Sequence, residues 1–92
     1  MNNNEIQETT SDIVELLADL SHRQWSGWMN YLFDKCSLND DGTLTIPKYY
    51  VDRWQRQIYT DYKDLSETEK ESDRIEARKV IATLGLTVTE NE

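Results

Sequence analysis

Residues 65–74 read LSETEKESDR, and this stretch sets the start of a helix. Ser66 and Glu69 have the spacing of a capping box, in which the serine hydroxyl accepts from the third amide of the helix and the glutamate carboxylate accepts from the serine amide. The two glutamates of the first turn also favour the positive end of the helix dipole. The pattern predicts a helix that runs to about Leu84, with Gly85 as its left-handed stop.

An apolar stripe earlier in the chain predicts a first helix. Ser11 or Asp12 can cap its first turn. Apolar side chains then recur at helical spacing, at Ile13, Leu16, Leu17 and Leu20. The same period continues to Gln24, Gly27 and Tyr31, while a rotated face carries Trp25, Trp28, Met29 and Leu32. We favour one continuous or gently bent helix that uses two faces; the alternative is a break at Ser21, which could cap a new helix.

A turn and a proline separate this helix from a second one. Residues 38–42 read LNDDG, and Asp-Gly is a strong turn signal. Residues 43–46 alternate briefly and predict a short extended segment. Pro47 suits the first position of a helix, because its missing N–H costs nothing there. The second helix is expected over residues 47–58, with Val51, Trp54 and Ile58 on its apolar side.

The fold class predicted from these elements is all-α. We expect a compact three-helix single domain over residues 11–86, with flexible polar tails at 1–10 and 87–92. A chain of 92 residues has room for one domain with a modest core. The hydrophobic share is only 37%, but three Trp and five Tyr supply large areas for burial.

Charge and composition limit the function classes. A formal net charge of -8 argues against broad nucleic-acid binding and against binding to anionic membranes. Residues 1–4 are polar, and no apolar run approaches the roughly 20 residues that a membrane span needs. Cys36 is the single cysteine, so no intramolecular disulfide can form. These features predict a cytoplasmic protein.

Patterns for catalysis and metal binding are weak. An EF-hand alignment of residues 37–48 puts Ser37 and Lys48 where calcium needs carboxylates. His22 and Cys36 are the only good transition-metal ligands, and a straight helix of roughly 20 Å keeps them apart. We therefore expect no metal, no cofactor and no enzymatic activity. His22 is either a hydrogen-bonded structural residue or a ligand contact.

Basic and aromatic side chains are concentrated in residues 47–63. The second helix carries three cations and one carboxylate, and Tyr49, Arg53 and Arg56 share one of its faces. Arginine binds phosphate bidentately and aromatic rings stack on bases, so this face suits an anionic, planar ligand such as a nucleotide. The alternative is an ordinary helix whose aromatics pack and whose charges are solvated or paired. Trp25 and Trp28 are likewise either core residues or, with Gly27, the floor of a shallow pocket.

The segment from Tyr62 to Arg74, followed by a helix that ends at Leu84-Gly85, resembles the ryanodine-receptor (RyR) repeat domain. That family has a Tyr, then Leu-Ser/Pro-Glu-x-Glu-Lys, then Asp-Arg before a helix. Its leading half carries a His-x-x-Trp element, to which His22 and Trp25 correspond here. The resemblance covers about residues 13–86. The whole chain also looks like small proteins of bacteria and their phages.

The resemblance implies a non-catalytic cytoplasmic module for nucleotide-type ligands, such as a sensor or sequestering protein in phage or bacterial signalling. Together with the second helix, it gives a predicted ligand-binding set: His22, Trp25, Arg53, Trp54, Arg56, Tyr62, Lys70, Asp73 and Arg74. The alternative function is a protein–protein or self-assembling adaptor module without a small-molecule ligand. Its interface would be formed by the exposed aromatic residues of 49–62, which could dock on a basic partner or on a second copy.

Overall fold

The structure, a computed structural model, describes residues 3–86 of the chain, with side chains described from residue 10 onwards. Its elements in chain order are α1 (Asn3–Lys35), β1 (Ser37–Leu38), β2 (Leu44–Thr45), α2 (Lys48–Ile58), a 3-10 turn (Tyr62–Asp64) and α3 (Glu67–Thr83). This order confirms the predicted three-helix, all-α fold class and its short extended segment. The predicted tail at 87–92 lies outside the described residues.

Helix α1 is continuous through Ser21, which confirms the favoured interpretation. The helix begins at Asn3, however, and not near Ser11 or Asp12 as the capping residues suggested. Three good helix formers, Glu5, Gln7 and Glu8, precede those residues, and a helix does not need to stop at every residue that is able to cap it. At 33 residues, α1 is about 50 Å long, roughly twice the length of α3.

A small hairpin joins α1 to α2. Strands β1 and β2 pair antiparallel, with Ser37 opposite Thr45 and Leu38 opposite Leu44. Gly42 has a φ of 86°, which places the expected Asp-Gly turn in the left-handed region. The Asn39 side-chain amide donates to the hydroxyls of Thr43 and Thr45 at 2.9 Å and holds the turn. The first strand has only two residues, too few to show an alternating pattern in the sequence.

Both ends of α3 confirm the sequence prediction. Ser66 is the N-cap, and its capping box with Glu69 is complete. At the other end, Gly85 has a φ of 73° and donates to the Ala82 carbonyl, while the Leu86 amide donates to the Ile81 carbonyl. Those two bonds form a Schellman motif. Helix α2 differs by one residue, because Pro47 lies just before its first turn, with a ψ of 145°.

The three helices leave most large side chains partly exposed. Leu20, at 5% exposure, is the one fully buried hydrophobic side chain in the described part of the chain. The radius of gyration is 18.3 Å, against about 12 Å expected for a compact domain of this length. The accessible surface is 7759 Å², against about 5,600 Å² expected for a folded monomer of this mass. Within the described residues, little apolar side-chain surface is therefore fully buried.

Candidate functional site

A groove runs between the three helices and has a volume of about 850 Å³. We call it the interhelical groove. Its volume falls within the range of small-molecule sites in proteins, roughly 300 to 1,000 Å³. Helix α1 supplies one wall, α2 the second and residues 68–79 of α3 the third.

The α1 wall comes from the face that carries Leu20. Gln24, Gly27 and Tyr31 continue that face and line the groove, as does Trp28 at its margin. The Gln24 side-chain amide donates to the Glu76 carbonyl at 3.1 Å and fastens α1 to α3. Gly27 has no neighbour within 4 Å of an added Cβ, so the groove is open above the α1 backbone at that point.

The α2 wall is aromatic and basic. The Trp54 ring lies 6.4 Å from the Tyr31 ring and 5.2 Å from the Tyr50 ring, measured between centroids. Those contacts orient Trp54, which is half-buried in the groove wall. Arg53 precedes it and also lines the groove. Within the described residues, Arg53 forms no hydrogen bond or ion pair, so its guanidinium is available to a ligand.

Other charges at the groove are partly or fully paired. Arg23 lies 2.9 Å from Asp19, and the Lys79 ammonium lies 3.0 Å from one carboxylate oxygen of Glu76. The other oxygen of Glu76 is buried and has no hydrogen-bond partner in the described part of the chain. A buried carboxylate oxygen without a donor is costly. Among the described residues that line the groove, Arg53 is therefore the cation left for a ligand.

Arg56 lies outside the interhelical groove and joins α2 to the start of α3. Its guanidinium lies 2.8 Å from the Glu69 carboxylate, whose side chain is only 9% exposed. The Arg56 hydrogen bond, together with those from Ser66, lowers the pKa of Glu69 to about 2. Arg56 thus has a structural partner. It borders a second, more open depression together with Tyr49 and Arg53.

Tyr62, Lys70 and Arg74 lie together at a site separate from the groove. The Lys70 ammonium lies 5.8 Å from the Tyr62 ring centroid and 3.8 Å from the Glu67 carboxylate. Arg74 lies 3.3 Å from Glu67 and 3.5 Å from Glu71. The Glu67 hydrogen bond is the main reason that the pKa of Arg74 is raised. Both cations of this cluster are therefore paired with carboxylates of α3 itself.

The remaining predicted site residues lie on exposed helix surfaces. His22 and Trp25 stack on each other with centroids 5.9 Å apart, and neither lines the groove. Asp73 is exposed on α3 and also lies outside the groove. Of the nine predicted residues, the structure brings only Arg53 and Trp54 into the interhelical groove. A ligand role stays a prediction for all nine.

Groove residues that the predicted set left out include Gln24, Trp28, Tyr31 and Glu76. The first three had a signal, because Gln24 and Tyr31 continue the Leu20 face and Trp28 was recognised as a possible pocket floor. Glu76 had no such signal in the sequence, because its position in the groove depends on the packing of α3 against α1.

Within residues 10–86, no group of three or more side chains is arranged to hold a metal ion. No helix in the described region has the length and apolarity needed to cross a membrane. Comparison with protein-family models, with curated proteins and with solved structures found no match to this chain. The resemblance to the RyR repeat therefore stays a prediction.

Proposed function

We propose that this chain is a non-catalytic binding module that holds an anionic, nucleotide-like ligand in the interhelical groove. The observation that carries the proposal is Arg53, a half-buried arginine without a carboxylate partner in the described residues, next to Trp54 in an aromatic wall. An arginine fork is suited to phosphate, and neighbouring aromatic rings are suited to a planar base. The RyR-repeat resemblance implies a ligand of the same class.

The aromatic residues of the groove bind the base. Trp28, Tyr31 and Trp54 come from two helices and line one groove, so a flat ring can contact them without displacing the Leu20 core. Stacking of a base on an aromatic side chain contributes about 1 to 3 kcal/mol. Arg53 neutralises the phosphate at the α2 side of the groove.

Isothermal titration calorimetry with a panel of mono-, di- and cyclic nucleotides tests the proposal. Arg53→Ala should weaken binding about tenfold or more, because a charged hydrogen bond is lost. Lys48→Ala is the matched control, since Lys48 is an exposed cation on the same helix that pairs with Asp52 at 2.6 Å and does not line the groove. The absence of heat with every nucleotide at millimolar concentration would overturn the proposal.

A second candidate function, a protein-interaction module for a basic partner, is favoured by the exposed tyrosines at the two ends of α2. Tyr49 is 67% exposed and Tyr59 is 86% exposed, on a chain with a net charge of -8. Large exposed aromatic rings are typical of interface anchors. In this case Tyr59→Ala should weaken binding to a basic protein partner, and nucleotides should not compete with that partner.

A further inference from the structure

A second apolar stripe on α1 is not part of the groove wall that Leu20 defines. We call it the outer stripe; its residues are separated by alternating steps of four and three, and they are Val14, Ala18, Ser21, Trp25, Trp28 and Leu32. That spacing is typical of the residues that form the seam of a two-helix coiled coil. The stripe is centred roughly 100° around α1 from the Leu20–Gln24 side, which faces α3. Of its residues, only Trp28 and Leu32, at the C-terminal end of the stripe, also line the groove.

The outer stripe is open in the single chain. Trp25 is 56% exposed and Trp28 is 59% exposed, while Val14, Ala18 and Ser21 are exposed as well. Two tryptophans on one helix face are unusual for a surface that stays in contact with water, because each carries a large apolar area.

We propose that α1 of a second copy covers the outer stripe in an antiparallel pairing about a two-fold axis near residue 23. In that register, Val14 faces Leu32 of the second copy. Ala18 then faces the second copy's Trp28, and Ser21 faces the second copy's Trp25. Each tryptophan therefore meets a small residue that leaves room for it. The same six residues are used on both copies, as a two-fold interface requires.

A parallel pairing lacks this complementarity. It would set Trp25 against Trp25 and Trp28 against Trp28, and it would leave the small Ala18 and Ser21 facing each other. The facing tryptophans crowd the seam, and the facing small residues leave a void in it. Both effects cost packing energy. The order of small and large residues in the outer stripe therefore favours the antiparallel pairing.

Charge does not prevent contact between two copies at the outer stripe. Two acidic molecules repel each other, but salt screens charges more than about 10 Å apart, so the charges next to the contact matter most. The six positions that flank the outer stripe carry one carboxylate, Glu15, and otherwise hold Leu17, His22, Gln24, Met29 and Tyr31. Asp19 lies on another side of α1, where it pairs with Arg23.

The outer stripe has apolar area for such a contact, because two of its residues are tryptophans that are each more than half exposed. The inference goes beyond the proposed function, because it concerns the association of two chains, although the outer stripe and the groove share Trp28 and Leu32. The variants separate the two proposals: Arg53 is not part of the outer stripe, and Ser21 does not line the groove.

Sedimentation equilibrium of the full chain, from about 10 to about 500 micromolar, measures the association. We expect a mass that approaches twice the chain mass of 10.9 kDa. Ser21→Arg, close to the two-fold axis, should weaken association at least tenfold. Asn30→Arg is the matched control with the same charge change, since Asn30 is exposed on the far side of α1 and should leave the mass unchanged. Circular dichroism confirms that both variants stay helical.

Disulfide trapping tests the register. Val14→Cys and Leu32→Cys are made in separate Cys36→Ser chains, so that each chain holds one thiol. Under oxidation, the mixture should give a cross-linked dimer, while each variant alone should not. A monomer at every concentration, or a dimer that Ser21→Arg leaves intact, would overturn the proposal. Cross-linking of each variant with itself would overturn the antiparallel register.

Discussion

At the scale of single residues, Glu69 is the carboxylate most strongly held by its neighbours. It accepts hydrogen bonds from Arg56 on α2 and from the amide and hydroxyl of Ser66, and its folded pKa is about 2, against an ordinary value of 4.5. A carboxylate whose pKa is lowered on folding stabilises the fold above its unfolded pKa. That contribution is lost as the pH falls from about 4.5 towards 2.

The first prediction follows from the direction of this pKa change on folding. Urea denaturation at a series of pH values should show stability falling through this window, and Glu69→Gln should make the fall shallower. Arg56→Gln removes the main cause of the lowered pKa, so the loss should move to higher pH. A residual fall remains in both variants, because hydrogen bonds from Thr43 and Arg78 lower the pKa of Asp41 and Glu71, respectively. Identical pH profiles for Glu69→Gln and the parent chain would contradict the prediction.

The second prediction compares the effect on stability of alanine substitutions at two glycines. Gly85 has a φ of 73°, and an added Cβ would meet nothing within 4 Å, so Gly85→Ala costs only the backbone strain. We expect a loss of about 1 kcal/mol of stability. Gly27 lies inside α1 with the same open space, and Gly27→Ala should add about 0.5 to 1 kcal/mol. Urea midpoints measure both, and shifts in the same direction would show that packing, and not backbone conformation, decides them.

At the scale of elements, the start of α3 is the clearest local structure in the chain. Ser66→Ala removes the acceptor for the Glu69 amide and should cost about 1 kcal/mol, measured by urea denaturation. Ser66→Asp keeps a capping oxygen and should retain most of that stability. Ser72→Ala, inside the same helix, is the control and should change stability by less than about 0.5 kcal/mol. Equal losses from Ser66→Ala and Ser72→Ala would mean that the cap contributes nothing.

The elements also show what the sequence can predict. Helix α3 was predicted at both ends because its signals are local, from the Ser66 capping box to the left-handed Gly85. The start of α1 was not predicted correctly, because a capping residue permits a helix to begin there without requiring it. The candidate site depended on contacts between elements: the pairing of Arg56 with Glu69 and the approach of Glu76 to α1 join residues far apart in sequence. Helical periodicity could indicate Gln24 and Tyr31 but not which neighbour they would face.

At the scale of the whole molecule, the small interior has a thermodynamic consequence. Folding must overcome the conformational entropy of the chain, and burial of apolar area is the main compensation. Here Leu20 is the single fully buried hydrophobic side chain in the described region, and large side chains such as Trp25 and Trp28 remain more than half exposed. The isolated chain should therefore be only marginally stable.

If a second copy supplies the missing burial, stability must depend on protein concentration, because dilution favours the dissociated chain. We expect the Tm from differential scanning calorimetry to rise when the concentration is raised from about 10 to about 500 micromolar. Ser21→Arg should abolish this rise by charging the centre of the outer stripe, whereas Asn30→Arg should preserve it. A Tm that stays constant across this range for the parent chain would mean that three loosely packed helices stabilise themselves, and the exposed tryptophans would then need a partner of another kind.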